Sequence, residues 1–201
     1  MVEHAIDVTG EPPLTLAQWG EMGREDAPGE FVDGVLVEEE EVGFDHEDVV
    51  VWLAWAIKSW LVARGGFVFA SDARFAVSPR RGRKPDLSVY FAGRKPDSRT
   101  LATRPPDIMV EVVSPRPRDA RRDRVEKTKE YAAFGVRYYW IVDPAIRTFE
   151  IFELGADGRY VMAASASDGR IESVPGCEGL TLDLDAMWAE LDNLDPLQDE
   201  P

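Results

Sequence analysis

Three apolar runs lie close together in the chain: RKPDLSVYF (83–91), PPDIMVEVVSP (105–115) and VRYYWIVDP (136–144). Each reads as a strand, and the first two carry an acid where a buried strand ordinarily holds none. In DIMVEVV the apolar residues run almost without interruption, the pattern of a strand covered on both faces in mid-sheet, and Glu111 sits inside that run. An ionised carboxylate taken out of water is costly unless a cation meets it, so Glu111 implies a Lys, an Arg or a metal ion beside it. Asp86 opens the first strand directly after Pro85. If the first two strands pair antiparallel, the start of one meets the end of the other. Asp86 and Glu111 then project at one sheet edge, provided the pleat turns them to the same face.

The basic helix that follows, RPRDARRDRVEKTKEYAAFG (116–135), places Asp123, Lys127 and Tyr131 at i, i+4 and i+8, on one face. Lys127 is therefore a candidate cation for the two carboxylates. Read alone it is an ordinary helix-surface lysine paired with Asp123, and Asp86 alone is an ordinary turn acid; the buried setting of Glu111 is harder to explain structurally.

Working outward, TLAQWGEMG (15–23) is a short helix capped by Thr15, and EFVDGVLVEEE (30–40) is a hairpin turning on Asp33-Gly34, with Glu30 at its start. The segment FDHEDVVVWLAWAIKSWLVARGG (44–66) is the long helix, with Val50, Leu53, Ala54, Ile57 and Leu61 at helical spacing and Gly65-Gly66 as its stop. His46 lies at its start, either as a cap or exposed polar residue or as a group reaching the carboxylate site. Trp52, Trp55 and Trp60 read mostly as core, with any one outside the apolar stripe marking a dimer surface. FVFASDARFAV (67–77) alternates as a strand, and SPRRGRKP (78–85) reads as a basic turn. The loop AGRKPDSRTLATRPP (92–106) is long enough to reach over a substrate. RTFEIFEL (147–154) and RYVMAAS (159–165) form a hairpin, and a short amphipathic helix packs Leu184, Met187, Trp188 and Leu191.

Taken as a set, EFVDGVLVE, the histidine opening a long helix, the PD strand, PDIMVEVVSP, the basic helix and GVRYYWIVDP closely resemble the Uma-two family, from about residue 14 to 191. The resemblance implies a restriction-endonuclease-like PD-(D/E)XK fold: α/β, a central mixed sheet flanked by α-helices. The superfamily motif is an Asp followed by Glu-x-Lys on the next strand. It maps to Asp86 and Glu111, but Val113 stands where the lysine is expected. In the family a lysine on the following helix takes that place, here Lys127. Glu30 and His46 match an acid and a histidine beside the site.

The chain of 201 residues is 44% hydrophobic, enough for one sizeable core: one domain over 14–191, a loose lead-in over 1–13 and an acidic tail over 192–201. The single Cys177 excludes an internal disulfide framework, and the first residues lack the basic start and apolar segment of a signal peptide, so a cytoplasmic setting is expected. There is no Cys/His cluster of zinc type, no glycine-rich phosphate loop and no apolar run of membrane-spanning length. The net charge of −15 argues against a nucleic-acid partner until its distribution is read: residues 74–147 hold 18 of the 23 Lys and Arg but only 9 of the 38 acids. A basic segment around a carboxylate site suits phosphate; acids gathered elsewhere for solubility explain the same asymmetry.

Phosphodiester hydrolysis brings a water anion to a phosphorus shielded by negative oxygens, and a divalent metal meets that demand. Mg²⁺ or Mn²⁺ on Asp86 and Glu111, with the Val112 backbone carbonyl as the resemblance implies, is the expected centre. Lys127 orients or polarises the water, Glu30 binds a second metal or a metal's water, and Tyr131 stands behind Lys127. Arg80, Arg81, Arg83, Lys84, Arg121, Arg122 and Arg124 are the expected contacts to a nucleic-acid backbone. The reading is a metal-dependent endonuclease acting on DNA, as a homodimer; its alternative is a non-catalytic module binding nucleic acid or protein on the same scaffold.

Overall fold

The computed structural model describes residues 14–23, 29–38, 42–114 and 121–194. The expected lead-in over 1–13, the start of the basic helix and the tail beyond residue 194 lie outside them. A six-stranded sheet forms the centre, with strands β3 (Gly66–Ala70), β6 (Leu87–Phe91), β7 (Ile108–Val112), β8 (Tyr138–Asp143), β9 (Thr148–Leu154) and β10 (Tyr160–Ala166) in the order β10-β9-β8-β7-β6-β3. Every pair is antiparallel except β7 and β8, so the sheet is mixed.

Alternation along β7 divides the core. Ile108, Val110 and Val112 face α2 (Phe44–Leu61) and α4 (Leu184–Asp192), packing against Leu53, Ile57, Met187 and Trp188. Met109 and Val113 face the opposite side, with Tyr131, Tyr139 and Phe75. That side is covered by α3 (Thr128–Phe134) and by a four-stranded antiparallel sheet of β1 (Gly29–Val32), β2 (Val35–Glu38), β4 (Phe75–Ser78) and β5 (Arg81–Arg83), ordered β2-β1-β5-β4. Covering on both faces is why β7 reads as an unbroken apolar run. Truncating one of the fully buried side chains there, such as Leu53 to Ala, costs about 2–5 kcal/mol.

Local chemistry sets the ends of the elements. Thr15 and Gln18 form a capping box on α1 (Leu16–Glu21). Asp33 and Gly34 both take positive φ, 54° and 93°, as a two-residue hairpin between right-twisted strands requires. Gly135 ends α3 in the left-handed conformation. A final two-stranded pair, β11 (Arg170–Ile171) and β12 (Leu182–Asp183), leads into α4.

Three expectations are corrected. FVFASDARFAV is not one strand: β3 edges the central sheet, the chain turns with Asp72 at φ 75°, and β4 enters the smaller sheet. SPRRGRKP is not simply a turn, because Arg81–Arg83 pairs with β1 and β4; Gly82 lies under the Trp19 ring, where a Cβ would meet ring carbon at 2.4 Å. Trp55 is not core but 67% exposed, while Trp52 and Trp60 are partly buried.

Candidate functional site

The antiparallel pairing of β6 with β7 puts Leu87 opposite Val110, so Asp86, one residue before β6, stands opposite Glu111. Both have the parity of the face that packs on α3. Asp86 Oδ2 accepts the Val112 N–H at 2.7 Å and lies 3.3 Å from His46 Nε2 at the start of α2. His46 is therefore a buried partner of Asp86 and not an exposed cap. Burial disfavours its imidazolium, yet Asp86, Glu47 and Asp45 outweigh that and hold its pKa above the ordinary histidine value.

Glu111 is buried in the middle of the sheet and both its oxygens are engaged. Lys127 Nζ lies 2.8 Å from Oε2, and the Tyr131 hydroxyl donates to Oε1 at 2.5 Å. Both partners come from one helical segment, a π-helical stretch (Arg122–Lys127) running into α3. The wider turn still sets Asp123, Lys127 and Tyr131 toward the sheet. Lys127 Nζ is also 3.2 Å from Asp123 and 3.6 Å from Glu30. Burial alone would lower the lysine pKa, but Asp123, Glu111 and Glu30 raise it well above ordinary, so Lys127 is a fixed ammonium and no proton acceptor.

Glu30 behaves oppositely to Glu111. Burial pushes its carboxyl up, but Lys127 and Arg83 outweigh that and bring it to about 2. Arg83 donates to Glu30 at 2.6 Å and to Glu130, and the Lys84 N–H adds a bond at 3.2 Å. Burial lifts the Glu111 carboxyl well above its usual range, and the charges of Asp123, Asp86 and Glu30 add to this against Lys127. Three carboxylates thus gather around one ammonium, with Asp86 facing Glu111 beside them and Arg83 shared between Glu30 and Glu130.

A cavity of about 240 Å³ opens onto this group, lined by His46, Asp86, Glu111, Val112, Asp123 and Lys127 among others. Glu30 and Tyr131 stand behind its wall. Asp123 is the site carboxylate that sequence reasoning leaves out. Its i−4 spacing from Lys127 is visible in the chain, but a helix-surface ion pair explains that spacing equally well.

The donor set fits a divalent cation. It is all oxygen, it carries more negative charge than Lys127 offsets, and Asp86 Oδ1 has no hydrogen bond among the described residues. No three His, Cys, Asp or Glu side chains form a preformed cage among the described residues. Mg²⁺ sites with one or two protein carboxylates need none.

The seven cations expected to meet a nucleic-acid backbone are placed differently. Arg83 and Lys84 are buried, in ion pairs with Glu30 and Asp72. Arg80 and Arg81 pair with Asp33, Arg121 with Glu126, and Arg124 with Asp143 and Glu150. Arg122 lines the cavity. Arg83, 1% exposed, braces Glu30 and Glu130 from beneath, whereas Lys84 lines the cavity together with Arg122.

Residues 17–185 match the model of a family described as Uma2, "Putative restriction endonuclease". Among solved structures, the chain resembles the crystal structure of "a putative nuclease belonging to DUF820" from Anabaena variabilis ATCC 29413. The TM-score is 0.71 at 17% identity, over 89% of this chain and 99% of that one, a likeness that carries the fold. No curated protein matches the chain. No helix among the described residues is long and apolar enough to cross a membrane.

Proposed function

Because the chain belongs to the Uma2 family and has a restriction-endonuclease-like fold, we propose that it is a divalent-metal-dependent endonuclease acting on DNA. The observation that carries the proposal is the convergence of Asp86, Glu111 and Lys127 on one cavity wall, from two adjacent strands and a helix. Asp86, Glu111 and the Val112 carbonyl would hold the ion. Mg²⁺ or Mn²⁺ held there would supply a bound water more easily deprotonated than bulk water and a positive centre for phosphate oxygens.

The chain's own groups supply the rest. Lys127, held charged by its acids, offsets negative charge building on the phosphate and orients the attacking water. Asp86 is fixed by the Val112 N–H and by His46, so its second oxygen points where a ligand is needed without an entropic search. Tyr131 and Glu30 hold Glu111 and Lys127 from behind. Val113 shares a face with Glu111 but packs in the core, so the helix supplies the amine that the strand does not.

We further propose a homodimer, through the exposed stripe of Val51 and Trp55 on α2 and Val62 at its C-cap, and a cytoplasmic setting. Spacings of four and seven residues put the three on one helix face that a second copy can cover.

The test is supercoiled plasmid incubated with the full chain and Mn²⁺, beside Glu111→Ala and beside EDTA. Nicking by the native chain alone, abolished by EDTA, supports the nuclease. Equal silence from native and variant protein favours the non-catalytic binding module.

A further inference from the structure

A second cavity, of about 540 Å³, lies on the β3 side of the catalytic one and shares Ser71 and Asp72 with it. Its volume falls in the range of roughly 300–1,000 Å³ typical of small-molecule sites. Its walls come from β3, from Arg74 and Phe75, and from the long loop after β6, including Pro96, Ser98, Arg99 and Thr100. This is where the loop expected to reach over a substrate is found.

Two features define its chemistry. The first is charge without a matching acid. Arg99 is exposed and makes no ion pair or hydrogen bond among the described residues. Arg74 spends its guanidinium on two carbonyls, Trp19 at 2.6 Å and Met22 at 2.8 Å, and stacks over the Trp19 ring, so no carboxylate neutralises it. Asp72, the acid on the shared rim, is paired with Lys84. Six of the seven cations expected to meet phosphate are held in ion pairs, Lys84 by the Asp72 on this rim, whereas Arg99 in this cleft has no such partner among the described residues. The second feature is an aromatic platform. Phe69 lines the cavity, and Phe67, 45% exposed on the same face of the edge strand, stacks on it at 6.0 Å and 13°. An exposed phenylalanine beside a basic cleft is the combination that binds unpaired nucleotides, the cation meeting the backbone and the ring meeting the base.

We propose that this cleft is the binding subsite for a single-stranded stretch next to the cleaved phosphate, with Arg99 on the backbone and Phe67 and Phe69 as base-stacking surfaces. The proposal rests on the nuclease reading only for the position of the cleaved bond. A strand with its phosphate against Asp86 and Glu111 crosses the Ser71–Asp72 rim directly into the cleft. The substrate strand is locally unpaired there, because a base stacked on Phe67 is withdrawn from its partner strand.

The experiment is fluorescence anisotropy of a fluorescein-labelled oligothymidylate 12-mer with the full chain, in EDTA at low salt, so that binding is read without cleavage. Arg99→Ala and Phe67→Ala each remove an exposed side chain and leave the core intact; Arg159→Ala, in the β9–β10 turn, removes an exposed arginine elsewhere. Arg99→Ala and Phe67→Ala are expected to weaken binding about fivefold or more, and Arg159→Ala not. A 12-mer of abasic sites is expected to bind more weakly and to feel Arg99→Ala but not Phe67→Ala. No binding by the native chain, or binding that both variants leave unchanged, overturns the proposal. Binding lost in the variants without plasmid cleavage by the native chain keeps the subsite and removes the nuclease.

Discussion

Lys127 Nζ sits 2.8 Å from Glu111 Oε2, so an amine on a helix meets a carboxylate in the middle of a sheet. Val113, two residues on from Glu111 and just past the end of β7, packs in the core, so the amine beside Glu111 comes from the helix and not from the strand. If the amine matters and not its origin, the two positions are exchangeable. Lys127→Met should lower plasmid cleavage by about 100-fold, the usual loss when one group stabilising transition-state charge is removed. The double variant Lys127→Met, Val113→Lys should recover part of it. Circular dichroism of each variant separates lost chemistry from lost fold.

The two buried glutamates give opposite pH dependences. Glu111 has a folded pKa above its unfolded one, so its contribution to stability is full below the ordinary carboxyl range and disappears as pH rises through the folded value. In metal-free protein, Glu111→Gln should therefore raise the melting temperature at pH 8 relative to the native chain, and do so less at pH 5. Glu30, held at about 2, contributes above its ordinary value of 4.5 and loses that contribution as pH falls toward 2. Glu30→Gln should lower the melting temperature at pH 7. Mn²⁺ competes with the Glu111 proton, so its stabilisation of the native chain should grow from pH 5 to pH 8. Scanning calorimetry with and without Mn²⁺ reads all three.

Arg83 carries a different expectation from the other basic residues. It is 1% exposed and bonded to Glu30 and Glu130, so Arg83→Met takes from the buried Glu30 its closest cation, with Lys127 left at 3.6 Å. Breaking such a pair costs about 3–5 kcal/mol, measurable as a shift in urea midpoint. The salt dependence of DNA binding should keep its slope when measured on the fraction that remains folded.

Trp55 is the simplest probe of the dimer. Trp55→Glu places a charge in the middle of the exposed α2 stripe. Sedimentation should show the native chain as a dimer and the variant as a monomer, with plasmid nicking retained.

The central strands, the long helix and the approach of Asp86 to Glu111 were legible because they rest on local signals: an unbroken apolar run, helical spacing, and a hairpin-like order of strands. The division of residues 67–77 between two sheets was not, since no Gly or Pro marks the turn at Asp72. Nor was the placement of the basic residues. Charge counts treat Arg80 to Lys84 as a cluster, but their partners lie far off in sequence: Glu30 is 53 residues from Arg83, and Glu130 is 47. Which cations are spent on acids is decided by the fold, and the same fold leaves Arg99 unspent in a loop that composition does not single out.

Asp86→Asn offers the most direct measurement. The amide oxygen can still accept the Val112 N–H, so the sheet edge is kept while a carboxylate is lost. The rate of supercoiled plasmid nicking in Mn²⁺ is measured for the native chain and for this variant at equal concentration. The account predicts nicking by the native chain and a loss of about 100-fold or more in the variant. Equal rates would contradict it.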